Sequence, residues 1–140
     1  MDERVLRKFF LGKASPQALA HSIAGSIAHP DGITWVVYIR ELKARFLVTR
    51  AMAVSLCDAV LAGKLPTAYL QWIGFALETS ENFEWNEDDL LATMFEYWAA
   101  PKINLELSNQ NVELFKKWLI GVESYPAERS EREAPLAARK

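Results

Sequence analysis

Ile33-Thr34-Trp35-Val36-Val37-Tyr38-Ile39 is the stretch whose reading decides the fold. Its β-branched and aromatic residues favour a strand on propensity alone. Its spacing points the other way. Trp35, Ile39, Leu42, Phe46, Thr49, Ala53, Leu56 and Val60 keep an alternating four-three rhythm, which is one face of a single helix. A strand would have to end where that pattern shows no break. On this reading one long central helix runs from Ile33 to about Ala62, Gly63 closes it, and Arg40, Lys43 and Arg50 lie off the apolar seam as a basic, solvated flank.

Shorter helices are predicted on either side. Upstream, Val5, Leu6, Phe9 and Phe10 recur at helical spacing behind Asp2 and Glu3, whose charges suit a helix start, and Gly12 supplies a left-handed stop. Ser15-Pro16 opens a second helix with Leu19, Ile23 and Ile27 on one stripe, and His29-Pro30-Asp31-Gly32 turns the chain. Downstream, Leu65-Pro66-Thr67 starts a helix running to about Thr79 with Leu70, Ile73 and Leu77 inward. Ser80 to Trp85 reads as a connection. Asn86 is placed as the cap of a helix that carries Leu90, Leu91, Met94, Phe95 and Trp98 to Ala100. Ile103, Leu105 and Leu107 alternate with polar residues, so 102–107 is predicted to be extended, either packed as a strap or forming one short strand. Ser108 begins a last helix with Val112, Phe115, Trp118 and Leu119 inward and Gly121 at its end. The predicted fold class is therefore all-α: a single-domain bundle of about six helices over 1–122, followed by a charged, disordered tail over 123–140. Leu11-Gly12-Lys13 and Ala62-Gly63-Lys64 punctuate two of its corners alike.

A chain of 140 residues with 51% hydrophobic and 24% charged content can bury one core without help from metals or disulfides. The single cysteine, Cys57, cannot pair within the chain. Asp2 and Glu3 follow Met1 where a signal peptide would be basic, and the longest uncharged run, Ala14 to Pro30, is too polar to span a bilayer. The expected location is the cytoplasm, with no membrane partner.

The net charge of −2 conceals an uneven distribution. Residues 65–101 hold seven acidic residues and no Lys or Arg, whereas residues 1–64 hold nine basic residues against five acidic. An acidic face disfavours nucleic acid and favours a basic protein.

Catalytic signatures are missing. The two histidines, His21 and His29, belong to no metal-ligand spacing, the glycines punctuate helix ends, and Cys57 sits mid-helix beside Leu56. Asn82, Glu84, Asn86 and Asp88 alternate as calcium-loop ligands do, but Glu87 stands where that loop needs glycine and Thr93 where it needs glutamate. No catalytic residue, cofactor or metal is expected.

What remains is a surface. Glu87, Asp88 and Asp89 have a structural cause in the helix start, where the dipole favours negative charge. Glu78, Glu81 and Glu84 do not. Phe83 and Trp85 either both turn inward to staple two helices, or one stays exposed as an interface anchor rimmed by acids. The candidate partner-binding set is Glu78, Glu81, Phe83, Glu84, Trp85, Glu87, Asp88 and Asp89.

The corner Phe10-Leu11-Gly12-Lys13-Ala14-Ser15-Pro16, with the helices on either side over residues 5–24, resembles the opening of small helical bacterial immunity proteins. Those proteins neutralise colicin-like or contact-delivered toxins made by the same cell. The resemblance implies a non-enzymatic cytoplasmic inhibitor whose acidic surface blocks a basic toxin domain, for example a nuclease. The alternative is an adaptor or regulatory interaction module able to form a homodimer through exposed apolar surface.

Overall fold

The computed structural model of the chain describes residues 1–28 and 36–126. Within them the fold is mostly helical, with six helices: α1 (Glu3–Phe10), α2 (Pro16–Ala24), α3 (Arg50–Leu61), α4 (Tyr69–Thr79), α5 (Asp89–Ala99) and α6 (Asn109–Ile120). Five of them begin where a side-chain oxygen can accept a free N–H of the first turn: Asp2, Ser15, Thr49, Asp88 and Ser108. Only α4 starts without such a cap, just after Pro66.

The two Gly-Lys corners are one structure used twice. Gly12 and Gly63 take φ of +73° and +74°. In the first corner Gly12 N–H bonds Phe9 O and Lys13 N–H reaches back to Lys8 O; in the second, Gly63 N–H bonds Val60 O and Lys64 N–H reaches Ala59 O. This 5→2 and 6→1 pattern needs a left-handed residue, which glycine supplies at least cost.

The long central helix is not what the chain forms. Helix α3 begins only at Arg50, and residues 36–49 before it hold no helix but contribute one strand to each of two short strand pairs. Strands β1 (Ile27–Ala28) and β2 (Val36–Val37) pair antiparallel, and β3 (Phe46–Leu47) pairs in parallel with β4 (Phe83–Glu84). The strand propensity of Val36-Val37 prevails over the apparent helical rhythm. Thr49, read as part of the seam, instead accepts from Met52 N–H and starts α3. Ala53, Leu56 and Val60 do form the buried face of a helix, but only over its own twelve residues. Upstream, Phe46 and Val48 turn toward the core while Leu47 is exposed, a period of two. The turn predicted at His29-Pro30-Asp31-Gly32, and the stretch Ile33–Trp35, lie outside the described residues.

Other boundaries shift for local reasons. Helix α2 ends at Ala24, so Ile27 leaves the helical stripe for β1. Thr67 does not cap α4; its hydroxyl donates to the Asn109 side chain. Of the two readings of 102–107 the strand does not form: Leu105 and Leu107 pack on the core, while Lys102 and Ile103 lie in a turn and Ile103 is exposed. The supposed tail begins docked, since Tyr125 packs on Tyr97 and Trp118 and its hydroxyl lies 2.6 Å from that of Tyr97; residues 127–140 are outside the described set.

The core lies where α4 packs along α5 and α3 along α6. The predicted inward residues of α4, α5 and α6 are all buried. Gly74 sets the α4–α5 separation: a Cβ there would stand 2.8 Å from Trp98 Cβ and 2.9 Å from both Ala99 N and Phe95 O. Two helices approach this closely only over a residue without a side chain. Trp98 is itself fully buried, and its indole N–H finds no acceptor among the described residues.

Candidate functional site

The chain between α4 and α5 is a strand and a tight turn. Phe46 N–H donates to Asn82 O and Val48 N–H to Glu84 O, each at 2.6 Å, which fixes β4 against β3. Strand alternation then dictates direction: Phe83 and Trp85 face inward and Glu84 outward. Phe83 is only 4% exposed and meets Phe10 and Phe46 edge-on, while Trp85 is half-buried with its ring centroid 5.0 Å from that of Phe95. Both aromatics are thus packing residues, Phe83 against α1 and β3 and Trp85 against α5, and neither stays exposed as the alternative of an interface anchor required. The exposed apolar side chain of this region is Leu47, at 44%.

After Trp85 the chain reverses through Asn86 and Glu87, with φ of +48° and +59°, and closes with Asp88 N–H donating to Trp85 O at 2.9 Å. Two consecutive left-handed residues make a turn of the mirror-image type. Asparagine tolerates that conformation. For glutamate it costs about 1 kcal/mol or more, because Cβ crowds the following carbonyl. The turn leaves the Asn86 and Glu87 side chains exposed at its tip. Asn86 is therefore not the helix cap. Asp88 is, its Oδ1 accepting from Leu90 and Leu91 N–H at 3.1 and 3.2 Å.

Two of the predicted carboxylates are engaged by arginines, of which only Arg50 belongs to the predicted basic flank. Arg50 grips Asp88 through two hydrogen bonds of 2.8 and 3.0 Å, and Arg45 meets Glu84 at 2.9 Å. The guanidinium beside Asp88 holds its carboxyl below the usual range, with the two backbone donors acting in the same direction. Glu81, Glu87 and Asp89 stay exposed, with no salt bridge among the described residues. Glu78 lies apart on α4. Partial burial, and the nearby charge of Glu96 on α5, raise its pKa. The surface around the turn thus stays acidic after Arg45 and Arg50 are set against it. A shallow groove of about 240 Å³ runs along it between Leu47, Thr49, Arg50, Trp85 and Asp88.

Between the end of α4 and β4 lies a polar cluster that patterning did not reveal. Glu3 is 1% exposed, and its Oε1 accepts from Leu42 N–H at 3.1 Å and from Ser80 Oγ at 3.0 Å. Ser80 Oγ accepts in turn from Asn82 N–H, and the Asn82 amide donates to Leu42 O. Burial pushes the Glu3 carboxyl up, and the charges of Glu41 and Asp2 add to the effect against the two hydrogen bonds. Glu3 was legible only as a residue of the first helical turn.

Elsewhere the titratable groups offer little chemistry. Burial pushes the Cys57 thiol up to about 12, with Asp58 acting in the same direction, so it is no nucleophile at neutral pH. His21 is exposed on α2, and His29 is outside the described residues. Among the described residues no three of His, Cys, Asp and Glu converge in a group able to hold a metal ion, and no helix is long and apolar enough to cross a membrane. No protein-family model, curated protein or solved structure matches the chain.

Proposed function

We propose that this protein is a non-enzymatic protein-binding inhibitor acting through the acidic turn at 81–89. The observation that carries the reading is the Asn86-Glu87 reversal. A left-handed glutamate is a strained choice where glycine would fit, and here it displays a carboxylate at a loop tip, where binding residues often lie. Glu81, Glu87 and Asp89 supply the field, Leu47 and the groove beside Trp85 supply apolar contact, and the Arg45–Glu84 and Arg50–Asp88 pairs brace the scaffold. A basic protein domain is the complementary partner, because acidic clusters accelerate encounter with basic patches. The immunity-protein resemblance gives this a setting: the partner is a toxin domain made by the same cell, and its inhibitor sits in the cytoplasm.

The test is protection of cells and salt-dependent association. The chain, co-expressed with the toxin-like product of an adjoining reading frame, should restore growth, and its association rate should fall steeply as salt is raised. Reversing Glu81, Glu87 and Asp89 to lysine together should lower that rate by about tenfold or more. Glu84 and Asp88 are poor choices for the test, since both already hold an arginine. An unchanged rate in the triple variant would sink the proposal.

A further inference from the structure

We infer that Glu3 is a positioning residue for the acidic turn, its buried carboxylate tying the base of the 81–89 loop to α1 and to the extended segment at 40–42. The inference deepens the proposed binding role and rests on it for its functional meaning, though not for its geometry.

Three distant pieces of chain meet at this carboxylate. It lies in the first turn of α1, whose start is itself docked on the 40–42 segment by Glu3 N–H to Arg40 O and Arg40 N–H to Met1 O, both at 2.9 Å. Glu3 Oε1 then takes Leu42 N–H from that segment and the Ser80 hydroxyl from the end of α4. Ser80 passes the constraint on by accepting Asn82 N–H, and the Asn82 side chain returns to Leu42 O, closing a ring of polar contacts. Asn82 is also where β4 begins to be held, since its carbonyl accepts Phe46 N–H. From there the strand leads through Glu84 to the Asn86-Glu87 reversal. A buried carboxylate is a costly way to hold three segments unless its hydrogen bonds are satisfied. Here both donors converge on one oxygen, so the bonds survive whether or not the other oxygen carries a proton. A glutamine can therefore replace the group and keep the ring.

Native-state amide exchange tests this with three variants. Glu3→Met removes the acceptor, Ser80→Ala removes the relay, and Glu3→Gln keeps the acceptor while removing the charge. The informative amides are those of Phe46 and Val48, which do not touch Glu3 but depend on where β4 lies. Glu3→Met and Ser80→Ala should each speed their exchange by about tenfold relative to the Val60 amide in α3, whereas Glu3→Gln should stay within about twofold of the parent. Loss of protection confined to Leu42 and Asn82 would overturn the inference, because it would mean a merely local contact.

Association with an oligoarginine peptide is the second reading. It should weaken in Glu3→Met and Ser80→Ala but be retained in Glu3→Gln, which shares the charge change of the methionine variant. Failure of the parent to bind this peptide would count against the acidic turn as a contact surface, and the amide result would still decide the role of Glu3.

Discussion

Arg50 and Asp88 face each other in a two-pronged ion pair at 2.8 and 3.0 Å, and the same Asp88 carboxylate accepts the first free N–H groups of α5. One side chain thus ties the start of α5 to the start of α3 across 38 residues of chain. The two roles differ in weight. The pair is at the surface, with Arg50 nearly half exposed, and such pairs contribute about 0–1 kcal/mol. An N-cap contributes about 0.5–2 kcal/mol.

Asp88→Asn should therefore be mild and Asp88→Ala marked. Asparagine keeps an oxygen for the cap and loses the charge; alanine loses both. Urea unfolding should show a loss below about 1 kcal/mol for the first and about 1–3 kcal/mol for the second. Equal losses would mean that the ion pair, and not the cap, carries the contribution.

Gly74→Ala should destabilise, against the usual trend for helices. In an open helix the change would gain up to about 1 kcal/mol. Here the new methyl would meet Trp98 Cβ and two backbone atoms of α5 at 2.8–2.9 Å, and backbone cannot yield as a side-chain end can. A loss of about 1–3 kcal/mol is expected from overpacking, read as a lower denaturant midpoint.

Glu87→Gly should separate stability from binding. Glycine relieves the left-handed strain at φ +59° and should raise stability by about 0.5–1 kcal/mol. It also removes an exposed carboxylate from the turn, so association with a basic partner should slow. A variant that is both more stable and equally fast would show that the strained glutamate has no part in binding.

Glu3 and Asp88 should give opposite pH signatures. Burial raises the folded pKa of Glu3 above its ordinary 4.5, so its stability contribution is full below that value and lost as pH rises through the folded pKa. Glu3→Gln should thus gain on the parent as pH rises from about 4 to about 7. Arg50 lowers the folded pKa of Asp88 below 3.8, so that contribution is present above 3.8 and lost as pH falls through the folded value. The advantage of the parent over Asp88→Asn should accordingly shrink under acid. Thermal unfolding of the three chains across this range measures both, and a Glu3→Gln curve parallel to the parent would contradict the assignment for Glu3.

Much of the scaffold was legible because its signals are local. Ser15 and Ser108 cap, Gly12 and Gly63 stop, and the apolar stripes of α4, α5 and α6 are buried as their spacing requires. The acidic stretch was legible as composition, but not as a surface. Phe83 and Trp85 already alternate with polar residues, the period-two signal of β4 and the residue after it, yet a two-residue strand is too short to assert itself without its partner. Asn86 looked the better cap because nothing local says that Asn86 and Glu87 will turn left-handed.

The sequence by itself determined the mostly helical class, most helix starts and stops, and the sign of the charge over 65–101, because caps, periodicity and composition act over a few residues. Tertiary structure alone decided the rest. Residues 36–49 abandon a helical rhythm because β1, close by in sequence, and β4, distant in sequence, offer β2 and β3 hydrogen-bond partners. Arg50, which read as part of a separate basic flank, and Arg45, which was not singled out, come to face Asp88 and Glu84 beside that same β3–β4 pairing. Glu3, an ordinary first-turn acid on paper, is buried because α1 packs its start against Leu42 and Ser80. The β3–β4 pairing, the two arginine pairs and the Glu3 contacts each depend on groups far apart along the chain, up to 77 residues for Glu3 and Ser80, meeting in space, and no pattern along the chain records such a meeting.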